Sequence, residues 1–402
     1  MSGIVIIGAG QAGASLAAKL RALGYTGALT LIGEEPVPPY QRPPLSKGYL
    51  LGEMELERLY LRAPAFWAEQ KVTLRLGARV SAIDTAARTL TVDGETLDYD
   101  QLALTTGSRP RTLPAAIGGA LENVFTVRTL ADIDRMEPLM RNGGSAVIVG
   151  GGYIGLEAAA VAAKLGLKVT VIEAAPRILQ RVAAPETSAY FRDLHAAHGV
   201  TIIEGTGLDR LTGETHVTGA RLSDGREISA DLVIVGIGIL PNSDLAEAAG
   251  LAIENGIRTD EQGRTSNPHI WAAGDCASFP HQGGRIRLES VGNAIDQAEL
   301  VAENMLGAGK TYEAKPWFWS DQYDCKLQIA GLNTGYDRIV TRPGEAGATS
   351  FWYYQGDRLL AVDAMNDSRA YMIGKRLIEG GKSPDPAIIA DPAADLKPLL
   401  KG

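Results

Sequence analysis

The feature that most constrains this chain is a strand–turn–helix unit that occurs twice. The apolar run Ile4-Val5-Ile6-Ile7 leads into Gly8-Ala9-Gly10-Gln11-Ala12-Gly13, a helical pattern over 14–23, and a second apolar run over 29–32 ending at Gly33-Glu34-Glu35. The same order returns as a strand over 146–149, Gly150-Gly151-Gly152-Tyr153-Ile154-Gly155, a helix over 156–165, and a strand over 168–172 ending at Glu173. GxGxxG alone is weak evidence. Here each copy follows a strand, opens a helix and has an acid 26 or 23 residues on, near the spacing of about 20 used by dinucleotide sites. The glycines let the backbone approach a pyrophosphate whose charge rests on the helix N-terminus, and the acid takes ribose hydroxyls. The copies lie 142 residues apart, too far for a solenoid period and suited to two separate nucleotide-binding domains.

Glycine supplies 47 of the 402 residues, against a usual share of about 7%. Without a collagen period, that excess points to many tight turns or to backbone packed closely against ligands. A net charge of −8 with no basic stripe argues against nucleic acid as a partner. No apolar stretch of about 20 residues runs without glycine, glutamine or charge, so no membrane span is expected. Cys276 and Cys325 are the two cysteines and form no CxxC pair; with no targeting segment ahead of the first strand, the expected location is cytoplasmic. His195 and His198, three apart on a helical stretch, lack a third ligand nearby and read as surface or capping residues.

Residues 73–104 alternate apolar and polar around a turn at Asp93-Gly94, which predicts a small antiparallel sheet. Buried strands are expected over 102–106, 232–235 and 270–273, with a helix over 293–306. After Lys315-Pro316 the aromatics concentrate. Phe351 to Tyr354 reads as a strand of a third, β-rich domain, with a helix over 371–379 and an irregular arm over 384–392.

Several blocks carry a resemblance. Tyr40-Gln41-Arg42-Pro43-Pro44-Leu45-Ser46-Lys47, Thr106-Gly107-Ser108-Arg109-Pro110, Gly150 to Glu157, Gly236-Ile237-Gly238-Ile239-Leu240-Pro241-Asn242, Ala273-Gly274-Asp275-Cys276 and Pro316-Trp317-Phe318-Trp319-Ser320-Asp321-Gln322 occur in this order. The chain resembles the flavoprotein ferredoxin reductases over nearly its whole length, above all those serving cytochrome P450 systems. The resemblance implies an α/β fold of glutathione-reductase-like architecture, with two Rossmann-like dinucleotide-binding domains and a C-terminal α+β domain. The expected boundaries are 1–112 and 244–312 for an FAD domain, 113–243 for an NAD domain, and 313–402 for the C-terminal domain.

The resemblance further implies FAD on the first fingerprint and NADH on the second. FAD would meet Gly8, Gly10, Ala12 and Gly13, with Glu34 or its neighbour Glu35 on the ribose. Arg42, Lys47, Val80, Thr106, Gly107, Arg128, Asp275 and Val291 would complete its site. NADH would meet Gly150, Gly152, Tyr153, Ile154, Gly155, Glu157, Glu173, Gly236 and Gly238. Glu157 is expected in the first turn of its helix, where the dipole favours a carboxylate, and paired with Lys47 beside the flavin. Tyr153 would swing aside for the nicotinamide, and Trp319 is the expected electron outlet.

Disulfide reductases of similar layout carry a cysteine pair where this chain has Pro43-Pro44-Leu45-Ser46-Lys47-Gly48. That absence excludes a thiol relay. The function implied is an NADH-dependent reductase that passes single electrons to a [2Fe-2S] ferredoxin serving a cytochrome P450. Rubredoxin, a dioxygenase ferredoxin, or a NADH-sensing role like that of apoptosis-inducing factor are the alternatives. An acidic ferredoxin would need a local basic patch, for which Arg42, Arg287 and Lys326 are the expected members.

Overall fold

The computed structural model describes residues 3–401. Internal packing divides the chain into two compact units. The first comprises the residues up to Gln41, Glu55–Arg109 and Ile239–Pro316; the second comprises Arg42–Met54, Pro110–Gly238 and the chain from Trp317 onward.

In the first unit, five parallel strands run in the order Ile270–Ala272, Gln101–Leu104, Ile4–Ile7, Leu29–Gly33, Thr73–Leu76. Ile4 lies opposite both Leu29 and Gln101. An apolar run buried on both faces is what a parallel sheet requires. One face is covered by the helices Gln11–Ala22 and Val291–Met305, through Leu16, Ala17, Leu20, Ala298, Val301 and Ala302. The other packs Ile83, Leu90 and Val92 from an antiparallel meander over Val80–Asp84, Thr89–Val92 and Glu95–Asp98. Its Asp93-Gly94 turn has φ of 49° and 86°, the positive pair of a type I′ hairpin. The antiparallel sheet expected over 73–104 is therefore smaller than the pattern suggested. Thr73–Leu76 and Gln101–Leu104 belong to the parallel sheet instead, because alternation of burial alone does not reveal strand direction.

The second unit holds another five-stranded parallel sheet, in the order Thr201–Ile203, Lys168–Ile172, Ser145–Val149, Leu232–Val235, Val124–Phe125. It also holds an antiparallel sheet ordered Trp317–Gln322, Cys325–Gly331, Arg358–Met365, Thr349–Gln355, Arg338–Pro343. Strand Thr349–Gln355 is buried on both sides, and its period of two shows directly. Phe351 and Tyr353 join a core with Leu156 and Phe191. Trp352 and Tyr354 join a second core with Tyr371, Ile373 and Leu377 of helix Ser368–Glu379. Within 384–392, expected to be irregular, Pro386–Ala390 is a short helix capped by Asp385 and started by its proline. Segment 42–54, expected with the FAD domain, groups with the second unit. Its turn Pro43–Ser46 packs on helices Leu130–Arg141 and Tyr153–Lys164. Among the described residues, no helix is long and apolar enough to cross a membrane.

Candidate functional site

Both fingerprint helices start three residues earlier than the sequence suggested, at Gln11 and Tyr153. Gly13 and Gly155 therefore sit inside the first helical turn. A Cβ on Gly13 would lie 2.0 Å from the Gly8 carbonyl oxygen, and one on Gly155 2.1 Å from that of Gly150. Only glycine lets helix and strand close this tightly. Gly8 and Gly150 turn the chain with φ of 111° and 107°, conformations that other residues rarely adopt. The middle glycines differ: a Cβ on Gly10 or Gly152 would meet no atom within 4 Å. The protein itself leaves that space open at each helix N-terminus, so both cradles fit a pyrophosphate brought against bare backbone.

In the first unit, Gly274 has a φ of 82°, and a Cβ there would come within 3.0 Å of Ala12 Cβ. Asp275 is thus carried toward the fingerprint, where Ser108 Oγ donates to its Oδ2 at 2.8 Å. Val291 opens its helix behind the Ser290 cap. Thr106 Oγ1 donates to the Asn242 carbonyl at 2.6 Å, and Asn242 N–H donates to the Gly107 carbonyl. Glu34 and Glu35 diverge at the strand end. Glu34 is exposed beside Arg79, 3.4 Å away, whereas Glu35 accepts from Tyr40 Oη at 2.6 Å. Val80 begins the meander. Thr105, which the sequence did not single out, donates its hydroxyl to the Gly8 carbonyl at 2.9 Å and holds the fingerprint turn.

In the second unit, Glu173 accepts the Gly151 and Ala175 backbone N–H groups, each at 2.7 Å. Its carboxylate is thereby fixed beside the fingerprint. Arg177, near enough in sequence to favour a 2′-phosphate, instead donates to Ser188 Oγ at 2.6 Å. A Cβ on Gly236 would lie 3.4 Å from Gly155 Cα, and Gly238 has a φ of 99°. Ile154 and Ile237 remain exposed. The Tyr153 ring lies 5.1 Å from that of Phe318, and its hydroxyl is buried with no hydrogen-bond partner.

Glu157 is the fifth residue of its helix, not a first-turn residue as expected, and there the helix dipole has faded. It is 4% exposed and its charge is met by side chains instead. Lys47 Nζ lies 3.1 Å from Glu157 Oε1, Ser320 Oγ donates to Oε1 at 2.7 Å, and Ser46 Oγ donates to Oε2 at 2.9 Å. Burial pushes the Glu157 pKa up, while Lys47, Ser320 and Ser46 pull it back. Lys47 also reaches Asp321 Oδ2 at 3.3 Å and sits 5.7 Å from the centroid of the half-buried Trp319 ring. Trp319 stacks on Trp317 at 5.4 Å. Arg42 and Arg128 are tied together, the Arg42 guanidinium donating to the Arg128 carbonyl.

Two readings need correction. His195 is no surface residue: it is 0% exposed, on the same helical stripe as Thr187, Ser188 and Phe191. That stripe was its signal in the sequence. Arg287 is unavailable for a basic patch, being 9% exposed and paired with Glu289 at 2.5 Å. Lys326 is exposed, beside a 200 Å³ hollow lined by Trp317, Trp319 and Tyr371. Both cysteines are buried, and burial raises each thiol's pKa, that of Cys325 to about 11. Neither is a reactive thiolate.

Comparison with known proteins bears on this geometry. Residues 2–298 match the model of the pyridine nucleotide-disulphide oxidoreductase family, and residues 317–400 match the reductase C-terminal domain. Putidaredoxin reductase of Pseudomonas putida is 43% identical over 99% of this chain and 96% of its own length. The chain is a flavoprotein ferredoxin reductase by family. The ferredoxin–NAD(+) reductase component of the anthranilate 1,2-dioxygenase system of Burkholderia cepacia is 41% identical, covering 98% of each chain. A rubredoxin-NAD(+) reductase of Pseudomonas putida is 37% identical over 90% of this chain and 95% of its own. Putidaredoxin reductase in its covalent complex with putidaredoxin superposes with a TM-score of 0.95 at 43% identity, over 100% of this chain and 98% of that one. This family's cofactors are FAD and NAD(H), and the two glycine cradles fit them.

Proposed function

We propose that the protein is an NADH-dependent reductase delivering single electrons to a [2Fe-2S] ferredoxin that serves a cytochrome P450. When bound, FAD accepts two electrons together from NADH and releases them one at a time. The chain's own contribution is to bind, orient and compensate charge. Gly10 takes the pyrophosphate of FAD at a turn that Gly8 and Gly13 close, and Asp275 is assigned to the same cofactor. Gly152 takes that of NADH at the turn closed by Gly150 and Gly155. Glu173 takes the adenosine ribose and repels a 2′-phosphate.

The observation that carries the reading is the Lys47–Glu157 pair beneath Trp319 in a chain whose two cysteines are buried thiols. Lys47, assigned to the reacting edge of the flavin, presents an ammonium where negative charge grows during reduction; stabilising developing charge is a transition-state effect. Trp319, half exposed and beside Lys47, is assigned as the outlet for electrons. The 43% identity to putidaredoxin reductase over 99% of this chain and 96% of that one supports a P450 ferredoxin as acceptor.

The test is NADH-driven reduction of purified P450-type ferredoxin, dioxygenase-type ferredoxin and rubredoxin, compared as kcat/KM. The P450-type ferredoxin should be reduced fastest, with the rate falling as salt passes about 0.1 M, where the Debye length is near 10 Å. A higher kcat/KM for either other acceptor overturns the assignment. Reduction of none faster than an artificial dye moves the protein to a NADH-sensing role.

A further inference from the structure

Beyond Glu157 the polar contacts continue into a buried chain that the assigned function does not use. Ser320 Oγ donates to Glu157 Oε1. A hydroxyl has one hydrogen, so Ser320 must accept from its other neighbour. That neighbour is Gln322 Nε2, 3.1 Å away. With its amide nitrogen committed there, Gln322 turns its carbonyl oxygen to His195 Nε2 at 2.8 Å, and Nε2 therefore carries the ring hydrogen. The neutral ring is left to accept at Nδ1, where Tyr323 Oη lies 3.1 Å away. Every bond donates toward Glu157. Ser320, Gln322 and His195 are each 0% exposed, so water does not stand in for a missing partner.

We propose that His195 is a positioning residue for the Lys47–Glu157 pair. Its Nε2–H orients Gln322, Gln322 orients the Ser320 hydroxyl, and that hydroxyl holds Glu157 Oε1 where Lys47 Nζ meets it. An amide does not hand a proton onward, so the chain orients rather than conducts. Remove the imidazole N–H and Gln322 is free to turn its carbonyl to Ser320. The single Ser320 hydrogen is then contested, and the Glu157 carboxylate loses a donor that favours its charged form.

The groups facing this chain are few. Lys47 faces Glu157, and Asp321 also lies within 3.3 Å of the ammonium. Tyr323 faces His195, and His198 stacks on Tyr323 at 3.6 Å. On the same helix, two turns earlier, Thr187 holds the buried Asp363, and Tyr190 interacts with Cys325. Burial keeps His195 neutral, with its pKa pushed down to about 4. An uncharged ring is what a one-way chain of donors needs.

The effect on turnover rests on the reading that places Lys47 and Glu157 at the flavin; the direction of the chain does not. The experiment uses the FAD-loaded full chain, with His195→Phe and His195→Gln. Nitrogen NMR of the labelled ring should show a neutral, Nε2-protonated His195 that does not titrate between pH 5 and 9. A ring protonated at Nδ1, or one titrating near pH 6.5, overturns the proposal whatever the kinetics.

In anaerobic stopped-flow reduction by NADH, His195→Phe should lower the limiting rate about tenfold, the scale of one lost bond to a charged group. It should also raise the acid-limb pKa by about one unit, with the NADH concentration dependence unchanged. His195→Gln, whose amide nitrogen donates from the same place, should restore both. An unchanged pH profile in His195→Phe with full FAD content overturns the positioning role. If His195→Phe does not fold, the decision passes to His195→Gln, where a shifted profile overturns and a wild-type profile supports. If Lys47→Met and Glu157→Gln both reduce at the wild-type rate, the placement of this pair at the flavin falls, while the ring tautomer still decides the chain.

Discussion

Replacing Asp363 with asparagine should stabilise the protein at neutral pH and change little at pH 4. Asp363 is 1% exposed, and Thr187 Oγ1 at 2.7 Å and the Tyr353 hydroxyl donate to the same oxygen, Oδ2. Burial outweighs these donors and lifts its pKa from 3.8 to about 6. A carboxyl raised in the folded state contributes stability that is fully present below pH 3.8 and is lost as pH rises through about 6. A shift of about two units at 1.36 kcal/mol each is a cost of about 3 kcal/mol at neutral pH. Asparagine presents a carbonyl to the same two hydroxyls and never ionises.

The variant should therefore gain on the wild type from pH 4 upward, levelling off by pH 7.5 at up to about 3 kcal/mol. His195 acts oppositely over nearly the same window. Its folded pKa of about 4 lies below its usual 6.5, so its contribution is present above pH 6.5 and lost as pH falls through 4. That term is common to both proteins and cancels in the difference; alone, it flattens the wild-type profile and leaves the variant's stability rising with pH. The assay is urea unfolding at fixed pH from 4 to 8. Hydrogen exchange of strands Thr349–Gln355 and Arg358–Met365 identifies the transition that includes Asp363, since a two-unit chain need not unfold in one step. A difference that is flat with pH, or that shrinks toward neutrality, refutes the reasoning.

Other substitutions probe the two cradles and the ion pair. Gly152→Ala should fold normally, because its Cβ meets nothing within 4 Å, yet raise the KM for NADH by about tenfold or more, one methyl group standing where the pyrophosphate approaches; an unchanged KM would remove the second cradle from NADH binding. Gly155→Ala should instead lower the thermal midpoint even without NADH, since its Cβ would lie 2.1 Å from a carbonyl oxygen. The unmodified protein should strongly prefer NADH to NADPH, and Glu173→Ala should narrow the ratio of kcat/KM values about tenfold; equal values in the unmodified protein would contradict the role of Glu173. Lys47→Met should slow flavin reduction at least tenfold with FAD content unchanged, and stopped-flow rates equal to wild type would take Lys47 out of the reaction.

What the sequence disclosed follows the range of the interactions concerned. Each fingerprint is local: an apolar strand, a glycine turn and a helix within about 20 residues, so both were legible. Their helix starts were misplaced because glycine reads as a helix breaker, whereas Gly13 and Gly155 are in the first turn to avoid a clash with carbonyls five residues back. Strand Thr349–Gln355 was legible from its aromatics, but only the fold distributes Phe351 and Tyr353 to one core and Trp352 and Tyr354 to another. The antiparallel sheet over 73–104 was overextended, because a period of two says which face is buried and not which neighbour is paired.

The polar chain behind Glu157 was the least legible part. Ser46 and Ser320 lie 111 and 163 residues from Glu157, and Gln322 lies 127 residues from His195. No periodicity links such positions; what selects them is that a buried charge or amide must find donors and acceptors. Even so, the sequence carried one sign of it. In the helix Tyr153–Lys164, every residue from Gly155 to Ala162 is buried, and seven of the eight are glycine or aliphatic. An acid at the eighth, Glu157, sits on a helix that offers it no exposed face. Burying an unpaired carboxylate costs several kcal/mol, so such an acid implies partners brought from elsewhere in the chain. The cation and hydroxyl donors that meet it, Lys47, Ser46 and Ser320, come from two of the sequence blocks that carry the family resemblance.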